Sequence, residues 1–236
     1  MARKAKNRSA DSRDGRTPPE DPSGIVLTYH HEHLWWYSAD DAPERWHISA
    51  DICDDSGHPE IHVGDIGIVI VDLNETRDPF SLLDGESADL GHIAGVVFGP
   101  GSSDLDPELD EQLEVFGGRL LILDTVRLTP QWRGFGLGVL LAGTAIKKLS
   151  ADARLAACYP GPLDDNPDPA TEETPEDEAA RRRAVAALGR TWARLGFEPF
   201  RDGVHVLDFG LATFEENLSG LRQSAQGSRS YDGQHQ

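Results

Sequence analysis

The sequence predicts one α/β domain of the α+β kind, with a mixed, mainly antiparallel central sheet of about seven strands flanked by helices. Three observations carry this. Apolar runs of strand length recur, notably Ile66–Val71 and Leu120–Leu123. Capped amphipathic segments begin at Ser87 and at Asp106-Pro107. Between Arg119 and Ser150 an apolar strand passes through a glycine-rich turn into a helix-like segment, and the rest of the chain is arranged around that junction.

The first strand is Gly24–His30. His30-His31-Glu32-His33 has metal-ligand residue types, but strand alternation puts His31 and His33 on one face and His30 on the other, so no metal is expected. Trp35-Trp36-Tyr37 reads as core or edge cover. Arg45–Asp54 alternates, with Trp46, Ile48 and Ile52 on one face, and pairs across the turn Asp54-Asp55-Ser56-Gly57 with His62–Leu73. That third strand is continuously apolar from Ile66 to Val71, as a central strand must be.

Ser87 caps a helix whose apolar positions are Leu90, Ile93, Ala94 and Val97. Asp106-Pro107 starts another, facing inward through Leu109, Leu113 and Phe116 and ended by Gly117-Gly118. The fourth strand runs to Leu128, because Thr129-Pro130 removes a ladder donor. Val139–Leu149 is helical, Ala153–Tyr159 is a strand, and Pro160-Gly161-Pro162 stops it. Thr174-Pro175-Glu176-Asp177 opens a helix that buries Leu188, Trp192 and Leu195 and closes at Gly196. Phe197–Phe200 and Gly203–Leu211 are the last strands. The domain spans 23–217, with a polar, basic tail over 1–22 and a polar tail over 218–236.

The chain has 236 residues and a net charge of -19, which argues against affinity for nucleic acid or anionic membrane and suits a cationic partner. No apolar run approaches the ~20 residues of a membrane span. Cys53 and Cys158 read as buried, reduced thiols, which fits a cytoplasmic protein. Leu163–Glu178 holds eight acidic residues and no basic one. This block (the acidic loop, 163–174) is a solvated loop or a flap that attracts a cationic acceptor.

Arg133-Gly134-Phe135-Gly136-Leu137-Gly138 lies where strand becomes helix. There, free backbone N–H groups and the positive end of a helix dipole meet, and glycine lets a phosphate approach. From the residues alone the junction is either a tight turn or a phosphate cradle. It is not GxxxxGK[ST], and Leu141 stands where GxGxxG needs its last glycine.

The segment Arg133–Gly138 matches [RQ]-x-x-G-x-[GA], and Trp192-Ala193-Arg194-Leu195-Gly196-Phe197 matches the Y-x-x-L-G-F end of a penultimate helix. With this pair, spanning Arg119 to Leu211, the chain resembles the GNAT (Gcn5-related) N-acetyltransferases. The resemblance implies the acyl-CoA N-acyltransferase type of fold and acetyl transfer from acetyl-CoA to an amine. It implies that the amides of Phe135, Gly136, Leu137 and Gly138, in the loop opened by Arg133 and Gly134, bind the coenzyme A pyrophosphate. Val126 and Leu128 would hold the pantetheine arm. Asp124, four residues before Leu128, stands where several relatives carry a glutamate base for the acceptor amine, whose ordinary pKa is roughly 10.4 for a lysine.

Three features depart from the family's pattern. Trp192 stands where the family has the tyrosine that commonly protonates the departing thiolate, and an indole N–H cannot serve; Tyr159 is either a substitute acid or a packing aromatic at a strand end. Val185 falls where an asparagine is common. Glu32–Glu44 is too short for the usual acceptor-shaping helix pair; the two helices before the fourth strand are candidates to replace it, and the identity of the acceptor stays open. The expected partners are a small-molecule or protein amine, cationic by charge, and a second copy in a homodimer. The alternatives are a non-catalytic acyl-CoA-binding or regulatory domain, and an acidic interaction protein whose glycine loop is only a turn.

Overall fold

The computed structural model describes residues 17–99, 102–114, 117–161 and 175–232. Its strands are β1 (Ile25–His31), β2 (Glu44–Cys53), β3 (Pro59–Asp72), β4 (Arg119–Leu128), β5 (Ala153–Cys158), β6 (Glu198–Arg201) and β7 (Val204–Asp208). They form one seven-stranded sheet in the order β1-β2-β3-β4-β5-β7-β6. Every neighbouring pair is antiparallel except β4 and β5, which run parallel. The described residues contain six α-helices: α1 (Pro79–Asp84), α2 (Ala88–Val97), α3 (Pro107–Gln112), α4 (Leu137–Leu149), α5 (Pro175–Ala193) and α6 (Thr213–Asp232). The fold is therefore α+β with a mixed, mostly antiparallel sheet.

Strand alternation divides the core. Ile66, Ile68 and Ile70 of β3 and Leu121 and Leu123 of β4 cluster with Val139 and Ile146 of α4, Trp192 of α5, and Phe214 and Leu218 of α6. The intervening Val69, Val71, Leu120 and Ile122 pack on the other face with Leu83, Leu90, Ile93, Val97 and Leu109 of α1 to α3. Burial on both faces is why β3 and β4 are apolar at successive positions. Each such aliphatic side chain contributes on the order of 1.5–3 kcal/mol of burial.

The helix signals act locally. Ser87 accepts from the Leu90 amide, and Asp106 accepts from the amides of Glu108 and Leu109. Asp78 caps α1 by accepting from Ser81, with Pro79 in the first turn. The helix over Pro79–Asp84 has too few turns to show an amphipathic period.

Several expectations are revised. Trp35 and Trp36 are 84% and 60% exposed, so this cluster is not core. The chain does not fray at 218: α6 continues to Asp232, and Leu218 is buried against α4. Cys158 is buried, and burial pushes its thiol far up, whereas Cys53 is only half-buried. The basic residues of 1–16, Phe116, the helix-cap Thr174 and the acidic loop 163–174 lie outside the described residues.

Candidate functional site

β4 and β5 stay together for only part of their length. Arg119–Ile122 pair with Ala153–Ala157, but from Leu123 to Leu128 β4 has β3 as its only strand partner among the described residues. The strands part around a cavity of about 50 Å³ lined by Leu123, Asp124, Thr125 and Val126 on one side and Cys158, Tyr159, Pro160 and Gly161 on the other. Leu188 and Trp192 of α5 complete the lining. Backbone groups on this side of β4 are paired by no strand among the described residues.

A β-bulge re-aims one side chain at this opening. Gly67 faces Thr125 and Ile68 faces Leu123, so Asp124 is the unpaired extra residue. Its carboxyl is half-buried, and no described residue donates a hydrogen bond to it. Burial pushes its pKa above the usual aspartate range; Arg45 opposes that shift, Asp89 adds to it and His47 opposes it. A carboxylate held this way accepts a proton more readily than an exposed one.

Tyr159 leaves the end of β5 beside the same cavity and is 39% exposed. Its ring is held by the His92 ring of α2, with centroids 4.6 Å apart and a tilt of 58°. His92 Nε2 lies 2.9 Å from the Asp202 carbonyl in the β6–β7 turn, which fixes that ring in its turn. On another side is Gly203, where an added Cβ would come within 3.0 Å of Tyr159 Cε2. Trp192, at the position of the expected tyrosine, is core-packed with its ring in the cavity wall. It offers no ionisable proton there.

Beyond Leu128 the chain makes a 3-10 turn (Pro130–Trp132) and enters the glycine loop. Trp132 is fully buried and Leu137 nearly so, packed with Ala50 and Val63, and these two anchor the loop. The Trp132 Nε1–H is buried without a partner among the described residues. Gly136 caps α4 with φ 73° and Gly134 has φ 89°, both in the left-handed region that favours glycine. Gly136 supplies no side-chain cap, so the first amides of α4 have no side chain to satisfy them. Gly138 faces Val126 and Leu128, where an added Cβ would make only ordinary contacts at 3.9 and 3.7 Å.

Arg133 does not point its Nε–H out of the loop. That group donates to the Leu128 carbonyl at 2.8 Å and ties the loop back to β4. The guanidinium beside the loop belongs instead to Arg194, whose Nη1 lies 3.9 Å from where a Gly136 Cβ would be. Thus Asp124, Val126 and Tyr159 line one cavity, while Leu128 and Arg133–Gly138 lead from its β4 wall to the α4 N-terminus. Sequence reasoning missed His92, Arg194 and Leu188 as parts of this region. Only Leu188 had a local signal, its place on the apolar face of α5; the other two arrive through contacts between distant segments. No protein-family model, no curated protein and no solved structure matches the chain.

Proposed function

We propose that this protein is a GNAT-like N-acetyltransferase that moves an acetyl group from acetyl-CoA to an amine. The observation that carries the reading is the parting of β4 from β5 around Asp124 and Tyr159, continuous with an uncapped helix N-terminus at Gly136. The free amides of α4 and the Arg194 guanidinium suit a pyrophosphate, in a chain whose overall charge of -19 would otherwise repel one. The unpaired edge of β4 at Val126 and Leu128 suits the amide groups of a pantetheine arm.

The bound thioester supplies the acetyl group: the N–C bond forms as the C–S bond breaks. The chain's own part is proton traffic. Asp124 Oδ takes a proton from the ammonium acceptor, freeing its lone pair for attack. The Tyr159 hydroxyl gives its proton to the departing sulfur, a task the indole of Trp192 cannot perform, and the phenolate is reprotonated by the second proton that the acceptor nitrogen sheds as it becomes an amide. A second reading, a domain that binds acyl-CoA without turnover, is favoured by one observation, the non-ionising Trp192 in the cavity wall.

The test is calorimetric titration of acetyl-CoA and of coenzyme A, with Gly136→Glu as control, followed by an amine screen. Micromolar binding lost in the variant, with turnover of an amine, is the expected result. Binding without turnover of any amine selects the second reading, and absence of binding overturns both.

A further inference from the structure

A cavity of about 380 Å³ lies away from the glycine loop, between the β1–β2 loop, the start of β2 and the end of β3. Its β3 residues, Ile70 to Asp72, pair with Leu121 to Arg119, at the end of β4 opposite Leu128. We propose that this cavity binds a small organic cation, an ammonium carrying an aryl or alkyl group. The proposal does not rest on the acetyl-transfer reading.

Two indoles of the loop that rims the cavity, between the lining residues Leu34 and Tyr37, are left in water by folding. Trp35 and Trp36 stack edge to face at 5.5 Å, and Trp36 meets Tyr37, itself a lining residue, at 6.4 Å. A contiguous exposed aromatic patch marks a binding surface more often than a lone apolar side chain does. The loop carrying it is held in place: Thr76 Oγ1 donates to the Ala39 carbonyl at 3.2 Å, and Asp40 accepts from the Arg77 amide at 2.6 Å. His31, which lines the cavity, stacks at 4.7 Å on Trp46, which does not, and is fixed by the Arg45 carbonyl at 2.9 Å from Nδ1. A cation in the cavity can therefore meet the rings of Tyr37 and His31, each in contact with an indole outside the lining, in a surface already ordered before binding.

Charge decides the ligand's sign. Arg45, which lines the cavity, is already matched to Glu86; Arg119, across from Asp72 on β4, is matched to Glu44, and Arg77, next to the lining residue Thr76, to Asp40. Asp72 Oδ1 accepts from the amides of Asn74 and Glu75, and its other oxygen has no donor among the described residues. Glu75 has no ion pair with any described residue and lines the cavity. A lining with surplus carboxylates and aromatic walls repels anions and gives a neutral guest no partner for that charge, whereas an ammonium satisfies both.

The test follows the indole N–H resonances of the full-length protein while 2-phenylethylammonium is titrated in, with 2-phenylethanol as the neutral isostere. Single Trp→Phe variants assign the resonances. The expected result is saturable shifts at Trp36 and Trp46 but not at Trp132, with the alcohol at least about fivefold weaker. Glu75→Gln, an exposed and nearly isosteric change, should weaken the cation about threefold to tenfold. Gly136→Glu should leave that binding intact. Failure of the cation to give saturable shifts, equal binding of the alcohol, or shifts confined to Trp132 and Trp192 would overturn the proposal.

Discussion

The carboxylate of Asp124 lies over Gly67: a Cβ added at Gly67 would stand 3.5 Å from Asp124 Oδ2 and 2.5 Å from Thr125 Oγ1. The bulge in β4 thus needs a glycine across from it on β3, and the aim of the candidate base is set by a residue on another strand. Gly67→Ala must displace the Thr125 hydroxyl, which has a single stiff torsion to move. The expected cost is about 1–3 kcal/mol in urea unfolding, the range for overpacking. Adding Thr125→Ala should recover most of it; a double variant as unstable as the single one would show that the clash lies elsewhere.

Asp124→Asn removes the proposed base while keeping the side chain's shape. Acetyl transfer at neutral pH should fall by about a hundredfold or more, with acetyl-CoA affinity unchanged by calorimetry. The sign of the stability effect is opposite. A carboxyl whose pKa is raised on folding lowers stability as pH climbs from its unfolded value through its folded one. The asparagine variant should therefore be no less stable than wild type at pH 7, and should lose this part of the pH dependence. A large destabilisation would mean that the carboxylate is structural.

Tyr159→Phe preserves the ring contact with His92 and deletes only the hydroxyl. A drop in kcat with unchanged acetyl-CoA binding is the outcome that identifies the acid. His92→Ala should lower kcat by a smaller factor, because it loosens the ring without removing the proton. Wild-type turnover in Tyr159→Phe would remove this residue from the chemistry.

His62 lies 2.8 Å from Asp51 through Nδ1 and 3.0 Å from Asp65 through Nε2, an arrangement in which both nitrogens donate only when the ring is charged. The Asp51 hydrogen bond is the main cause of a raised pKa. Its stabilisation is fully present below the unfolded histidine pKa and is lost as pH rises through the higher folded value. The ring is well solvated, so the effect should stay under about 1 kcal/mol. Urea midpoints measured from pH 5 to 9 should show this decline in wild type and not in His62→Gln.

Leu218→Ala tests whether α6 belongs to the domain. Leu218 is buried, and its Cδ1 comes within 2.8 Å of a Cβ added at Gly143 of α4. Truncation of such a leucine costs about 2–5 kcal/mol. A change below about 0.5 kcal/mol would mean that α6 is only loosely attached.

Much of this architecture was legible along the chain because its causes are local. Alternation, continuous apolar runs, the caps at Ser87 and Asp106, and the proline after Leu128 are satisfied within one element or between neighbours, and the strands fall close to where those patterns put them. The glycine loop was legible for the same reason: positive φ at Gly134 and Gly136 is a property of single residues. Short α1 and polar α6 were not, since one lacks a period and the other is recruited by Leu218 and Phe214 meeting α4.

The site divides along the same line. The sequence alone determined that a strand would end at Leu128 and that a glycine turn would present free amides at the start of α4. Only the tertiary structure decided that β4 leaves β5 after Ile122, that the bulge at Asp124 sits over Gly67, and that His92 and Arg194 reach the cavity and the loop. Those relationships are pairings between segments tens of residues apart. Their geometry comes from sheet register and helix packing, which a residue's own neighbours do not encode.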